Sequence, residues 1–158
     1  MKRSPLLPAA LLACAGLALA DGTHLGTNYC SSTPNSGGGA ASIEVFGPDY
    51  GGTGQVFLDD PVVISAYPLP PETVGLFLYA TQPAQLPFGD GFLCVAGQVQ
   101  RMPAHTSLAS GLIYDSVTLG DLPGLTAGTW HFQAWFRDVA GGPAGFNLSD
   151  GIALDVSP

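Results

Sequence analysis

In the stretch "TWHFQAWFRD", residues 129–138, side chains that could bind or react alternate with side chains that could not. With the period of two that a strand imposes, Trp130, Phe132, Ala134 and Phe136 share one face, and His131, Gln133, Trp135 and Arg137 share the other. The first face is core. The second sets an indole among three hydrogen-bonding groups, and Asp155 joins them if the final apolar run, "IALDV" (152–156), returns as an antiparallel partner. A ring exposed on a flat sheet can stack on the apolar face of a sugar while His131, Gln133, Arg137 and Asp155 bond its hydroxyls, which makes this face a candidate glycan platform. The same pattern also fits a central strand covered on both sides. Trp135 would then pack under a segment such as "PAQLPFGDGF" (83–92), and Arg137 and Asp138 would form a structural ion pair. Bulky residues on both faces favour the covered reading.

Other constellations are weaker. Asp138, Asn147, Ser149 and Asp150 bracket the loop "VAGGPAG", and loops of this kind supply the six to eight oxygens that Ca²⁺ takes. The spacing matches no EF-hand, and the same residues serve a long hairpin loop by bonding its own backbone. Ca²⁺ is therefore a cofactor candidate only there, and no other cofactor is expected. For nucleophilic catalysis the chain offers His24 in a flexible arm, His105 in a Pro-flanked loop and His131 on a strand beside Asp155. It has no G-x-S-x-G elbow, no H-E-x-x-H and no phosphate-cradling loop before a helix. Asp59-Asp60 reads as a turn before Pro61 rather than as two carboxyls facing across a cleft.

The N-terminus, "MKRSPLLPAALLACAGLALADG", has two positive charges, an apolar run and Ala18-Leu19-Ala20, the three regions of a secretory signal peptide ending at residue 20. An uncleaved anchor and a lipoprotein lipidated at Cys14 are the alternatives. Residues 21–158 then form one domain. They contain Arg101 and Arg137 against twelve acids, a balance of −10 that opposes nucleic acids and anionic membranes. Cys30 and Cys94 remain, and in an exported chain they read as one disulfide; two buried free thiols are the alternative.

Stepping along the chain, 22 Gly and 14 Pro punctuate short apolar runs at intervals of roughly ten residues. Strands are expected at 42–46, 54–58, 62–67, 74–80, 92–97, 98–102, 112–119, 129–137 and 152–156. Turns are expected at Asp90-Gly91 and Asp150-Gly151, and no helix is expected. The fold class is an all-β, single-domain antiparallel β-sandwich of about eight or nine short strands. In the last hairpin Ile152, Leu154 and Val156 face Trp130, Phe132 and Phe136. The segment "TNYCSSTPNSGGGAA" is turn-forming, stapled by Cys30 to the middle of the sheet.

Tyr29-Cys30, "PNS" (34–36), "GLFLYATQ" (75–82), "LCVAG" around Cys94 and the ending "TWHFQAWFRD…GFNLSDGIALDV" resemble a secreted β-module of planctomycete and related environmental bacteria. That module closes on a W-x-F-Q-A-W-[YF]-R-D … N-x-[ST]-D-G pattern. The resemblance covers most of residues 26–156, with His131 in place of the usual Asn and Phe136 in place of the usual Tyr. It implies a small exported β-domain whose two cysteines match Cys30 and Cys94, and it assigns no catalytic or binding residue. The expected function is an exported structural or interaction module without catalytic activity, at the cell surface or outside the cell. The alternative is a carbohydrate-binding module using Trp135, and a hydrolase of unknown type comes third. A polysaccharide or a surface protein is the expected partner, with no membrane contact beyond an N-terminal lipid anchor.

Overall fold

The computed structural model describes residues 22–48, 50 and 53–158. The expected signal peptide and Cys14 lie outside the described residues. In chain order the strands are β1 (Thr23–Leu25), β2 (Thr27–Tyr29), β3 (Ser42–Gly47), β4 (Val56–Phe57), β5 (Pro61–Tyr67), β6 (Val74–Ala80), β7 (Gln82–Phe88), β8 (Gly91–Ala96), β9 (Gln100–Arg101), β10 (His105–Thr106), β11 (Ile113–Thr118), β12 (Gly128–Arg137) and β13 (Phe146–Ser157). One sheet has the order β1-β3-β5-β11, and the second runs β10-β6-β12-β13-β2, with β4 and β9 attached to β13 and β6. All the pairings are antiparallel apart from the short β4–β13 pair. The fold is all-β, and among the described residues the one helical element is a 3₁₀ turn at Leu119–Asp121.

Alternation builds the interior. Val62, Ile64 and Ala66 of β5 point inward with Ile43 and Val45 of β3, and Val63 and Tyr67 point out. From the other sheet come Phe77, Tyr79, Trp130, Phe132, Phe136, Ile152 and Leu154, all in the same buried cluster. Tyr79 stacks on Phe132 with ring centroids 5.8 Å apart. The polar tips are satisfied at the rim, where Tyr79 Oη donates to the Pro123 carbonyl and Trp130 Nε1 to that of Thr126.

Among the described residues thirteen strands replace the eight or nine expected: β4 and β9 are short pieces of the runs expected at 54–58 and 98–102, whereas β1, β2 and β10 are pieces of two or three residues too short to show a pattern. β7 was hidden by Pro83 and Pro87. It pairs only with β8, and a strand with one free edge tolerates residues that lack an N–H. β13 starts at Phe146, so Asp150-Gly151 lies inside a strand and is not a turn. The register of β12 against β13 shifts between Gln133 and Trp135. Trp130 opposes Leu154 and Phe132 opposes Ile152 as expected, but beyond the bulge Phe136 opposes Asn147. Ser149 Oγ fills the break by accepting the Ala134 N–H at 2.9 Å and donating to the Asp150 carbonyl.

A third layer lies over the second sheet. The β7–β8 hairpin packs on the outward side chains of β6, β12 and β13, enclosing Leu78, Ala80, Val95 and Leu148 with Leu76, Leu93, Trp135 and Phe146 around them. The Cys30–Cys94 disulfide joins the end of β2 to this hairpin, rather than to the middle of the main sheet.

Candidate functional site

The polar face of β12 is covered. Gln133 is fully buried and has no free hydrogen-bonding group: Oε1 accepts the Cys94 N–H at 2.8 Å, and Nε2 donates to the carbonyls of Phe92 (2.8 Å) and Ser149 (2.7 Å). This one amide ties β8 to the sheet beneath it. Tyr29 adds a second tie by donating to the Cys94 carbonyl at 2.6 Å. Its ring lies over Gly151, where an added Cβ would come within 2.6 Å of the ring. Burial, aided by the Asp150 carboxylate, pushes the Tyr29 phenol up to about 12.

His131 is buried edge-on to Tyr29, with centroids 5.3 Å apart. Its Nδ1 has no hydrogen-bond partner. Burial lowers its pKa, an effect partly offset by the Ala80 carbonyl and Asp155. Asp155 is not its hydrogen-bond partner; it accepts from Thr129 Oγ1 at 2.6 Å. Trp135 is half-buried, tilted against Phe146 at 5.7 Å, and part of the cluster beneath the hairpin. Arg137 is exposed at the end of β12, and no ion pair joins it to Asp138. Of the five residues of the expected platform, Gln133 is thus fully engaged beneath the hairpin and Trp135 partly covered, while Arg137 and Asp155 stay exposed. The pattern of the strand alone does not show that the hairpin covers it.

Three of the four expected Ca²⁺ ligands, Asp138, Asn147 and Asp150, fasten the chain between residues 28 and 43. Asp138 accepts the Ser36 N–H at 3.1 Å and the Ser36 hydroxyl. Asn147 Oδ1 accepts from Thr33 Oγ1 (3.1 Å) and the Leu148 N–H (2.8 Å), while its Nδ2 donates to the Pro34 carbonyl. Ser149 patches the bulge. Asp150 accepts the Ile43 N–H at 2.7 Å, with Asn28 and Ser42 as further donors, and burial raises its pKa against the pull of those three bonds. Each carboxylate serves a different set of donors. Among the described residues no group of three or more His, Cys, Asp and Glu could hold a metal. Asp60 likewise closes a turn, accepting the Phe57 N–H and the Tyr50 hydroxyl.

What remains exposed lies elsewhere. β11 and β10 are edge strands of opposite sheets, and His105 Nε2 meets Asp115 Oδ2 at 3.0 Å across that open side. His24 and His105 are thus on strands, not in an arm and a loop. A cleft of about 370 Å³ opens there, lined by His105, Leu108, Tyr114, Asp115 and Ser116 among others. Tyr114 continues onto the outer face of the four-stranded sheet, where Tyr67 is also exposed. Among the described residues no Ser, Thr or Tyr hydroxyl bonds His105, so the pair has no nucleophile to activate in this arrangement. Tyr67 and Tyr114 were legible as outward positions of "VVISAY" and "LIYDSVTL", but only the pairing of β5 with β11 brings them together.

No family model, curated protein or solved structure matches the chain.

Proposed function

We propose that this chain is an exported, non-catalytic interaction module, a disulfide-stapled β-sandwich acting at the cell surface or outside the cell. One observation carries the reading. Gln133, Asp138 and Asn147 are occupied in holding the covering hairpin and the N-terminal segment, while the exposed rings of Tyr67 and Tyr114, on the other sheet, take part in none of these bonds. Catalysis needs a group free to react at a held distance, and His105–Asp115 alone supplies a bridge between sheet edges. The disulfide supports export, because such bonds persist in oxidising compartments, and the resemblance to a secreted bacterial module points the same way.

The test is to express the full chain with its own N-terminus, locate it by fractionation, and assay the recovered protein in two ways. Co-sedimentation with cell-envelope and extracellular polymer fractions is expected, with no turnover of chromogenic esters or glycosides. Turnover abolished by His105→Ala would replace this reading with a hydrolase. Retention inside the cell with reduced thiols would remove the export part of it.

A further inference from the structure

We propose that the outer face of the β3-β5-β11 sheet, centred on Tyr67 and Tyr114 and continuing into the adjoining cleft, binds a neutral polysaccharide. This rests on the reading of the chain as an interaction module and supplies its ligand class.

The register defines the surface. Glu44, Ser65 and Tyr114 form one row across β3, β5 and β11, and Ser42 and Tyr67 begin the next. Tyr67 is therefore the diagonal neighbour of Tyr114, at about 7 Å by sheet geometry. The two side chains are 56% and 51% exposed, high for aromatic residues on a regular sheet. Ser65 between them is short and 9% exposed, so the rings flank a trough instead of merging into one apolar patch. Beyond Tyr114 the surface drops into the cleft lined by His105, Leu108 and Asp115, whose 370 Å³ falls within the range of small-ligand sites.

The chemistry selects the ligand. A pyranose presents polarised C–H groups on its faces and hydroxyls around its rim. The rings of Tyr67 and Tyr114 suit the former, and the exposed Glu44 carboxylate and the Ser42 and Ser116 hydroxyls can accept from the latter, while Asp115 is engaged by His105 and the Ser116 N–H. Polyanions are disfavoured, because Arg101 and Arg137 both belong to the other sheet and the charges on this face are acidic. A protein partner would need a contiguous apolar centre; Val63 adds apolar surface beside Tyr114, but Ser42, Ser65 and Ser116 break the face into separate apolar pieces.

Affinity electrophoresis of the full chain through gels containing mixed-linkage β-glucan, galactomannan or polygalacturonate tests this. Retardation by a neutral polymer is expected. Tyr67→Ala/Tyr114→Ala should weaken it at least tenfold, and Tyr67→Phe/Tyr114→Phe should keep it. If the double alanine variant fails to fold, Tyr114→Ser alone is compared with Tyr114→Phe. Equal retardation of wild type and alanine variants, stronger retardation by polygalacturonate, or none by either neutral polymer would overturn the proposal. If the last result comes with continued co-sedimentation with envelope fractions, the glycan assignment falls and the interaction module stands. If co-sedimentation is also lost, both fall.

Discussion

Replacing Gln133 by Met tests whether one buried amide holds the covering hairpin in place. Met nearly matches the side chain in volume and shape, so the cavity term is small. It removes partners from three backbone groups: the Cys94 N–H and the carbonyls of Phe92 and Ser149. A buried polar group left unpaired costs about 1–3 kcal/mol. Cys94 and Gln133 are fully buried, so the full penalty applies to the N–H; the Phe92 carbonyl can regain water if the hairpin lifts. The expected loss is about 3–5 kcal/mol, a large share of the roughly 5–15 kcal/mol that holds a domain together. Urea titration measures it, and amide exchange at Cys94 locates it, with protection there falling before protection in β12. Gln133→Glu sharpens the argument. One carboxyl oxygen can still accept from Cys94, but the other faces two carbonyls unless it is protonated. Folding then raises the pKa of this carboxyl above its unfolded value, so the variant should be most stable at low pH and lose stability as pH rises. A Gln133→Met loss under about 1 kcal/mol with Cys94 still protected would refute the fastening role.

Trp135→Ala should cost about 2–4 kcal/mol in the same titration, because the ring packs with Phe146, Leu76 and Leu93; a loss under about 1 kcal/mol would mean the ring is effectively exposed. Cys30→Ser/Cys94→Ser opens a loop of sequence separation 64 and should lower stability by about 4 kcal/mol in the chain-entropy description, checked against the reduced wild type. The pKa of His131 is lowered on folding, so the unfolded chain takes up the proton first as pH falls through about 6.5; stability should decline there, and His131→Leu should flatten the decline in a pH series of melting temperatures. Tyr29 is raised to about 12, so above pH 10 the unfolded chain loses its proton first and stability should fall until about 12, a loss that Tyr29→Phe should remove.

How far the sequence could be read follows from what each pattern encodes. Alternation in "TWHFQAWFR" and "IALDV" reports only which side chains share a face, and Trp130, Phe132, Phe136, Ile152 and Leu154 are all in the main core. Alternation does not report what lies beyond the second face. His131, Gln133 and Trp135 read equally well as a platform or as the floor of another layer, and the layer itself was concealed by the prolines of β7. The bulge defeated parity in a different way. Leu148 faces the hairpin and Ile152 the main core although both are even-numbered, because the extra residue near Asp150 reverses the alternation. The Asp-Gly pair that signals a turn elsewhere serves here to bulge a strand and to leave room for the Tyr29 ring. Tyr67 and Tyr114 carried their outward parity openly, but a sequence separation of 47 hid their proximity.

The residues that resemble a site and the residues that lack sheet partners are linked by one constraint. Segment 30–41 and the β7–β8 hairpin both pass over the sandwich without joining its main ladders, so their N–H and C=O groups need other partners. Asp138 and Asn147 supply them for the first, and Gln133 and Tyr29 for the second. Each is a polar side chain buried where an apolar one would leave backbone groups unpaired, and such groups look catalytic or metal-binding when seen only as a list of residue types. The outer face of the four-stranded sheet is under the opposite constraint. Its ladders are complete across β5, so no stray backbone asks for a partner, and the rings at positions 67 and 114 stand largely in solvent. Side chains that stability does not demand, exposed in pairs beside a cleft, are where a binding function has freedom to reside.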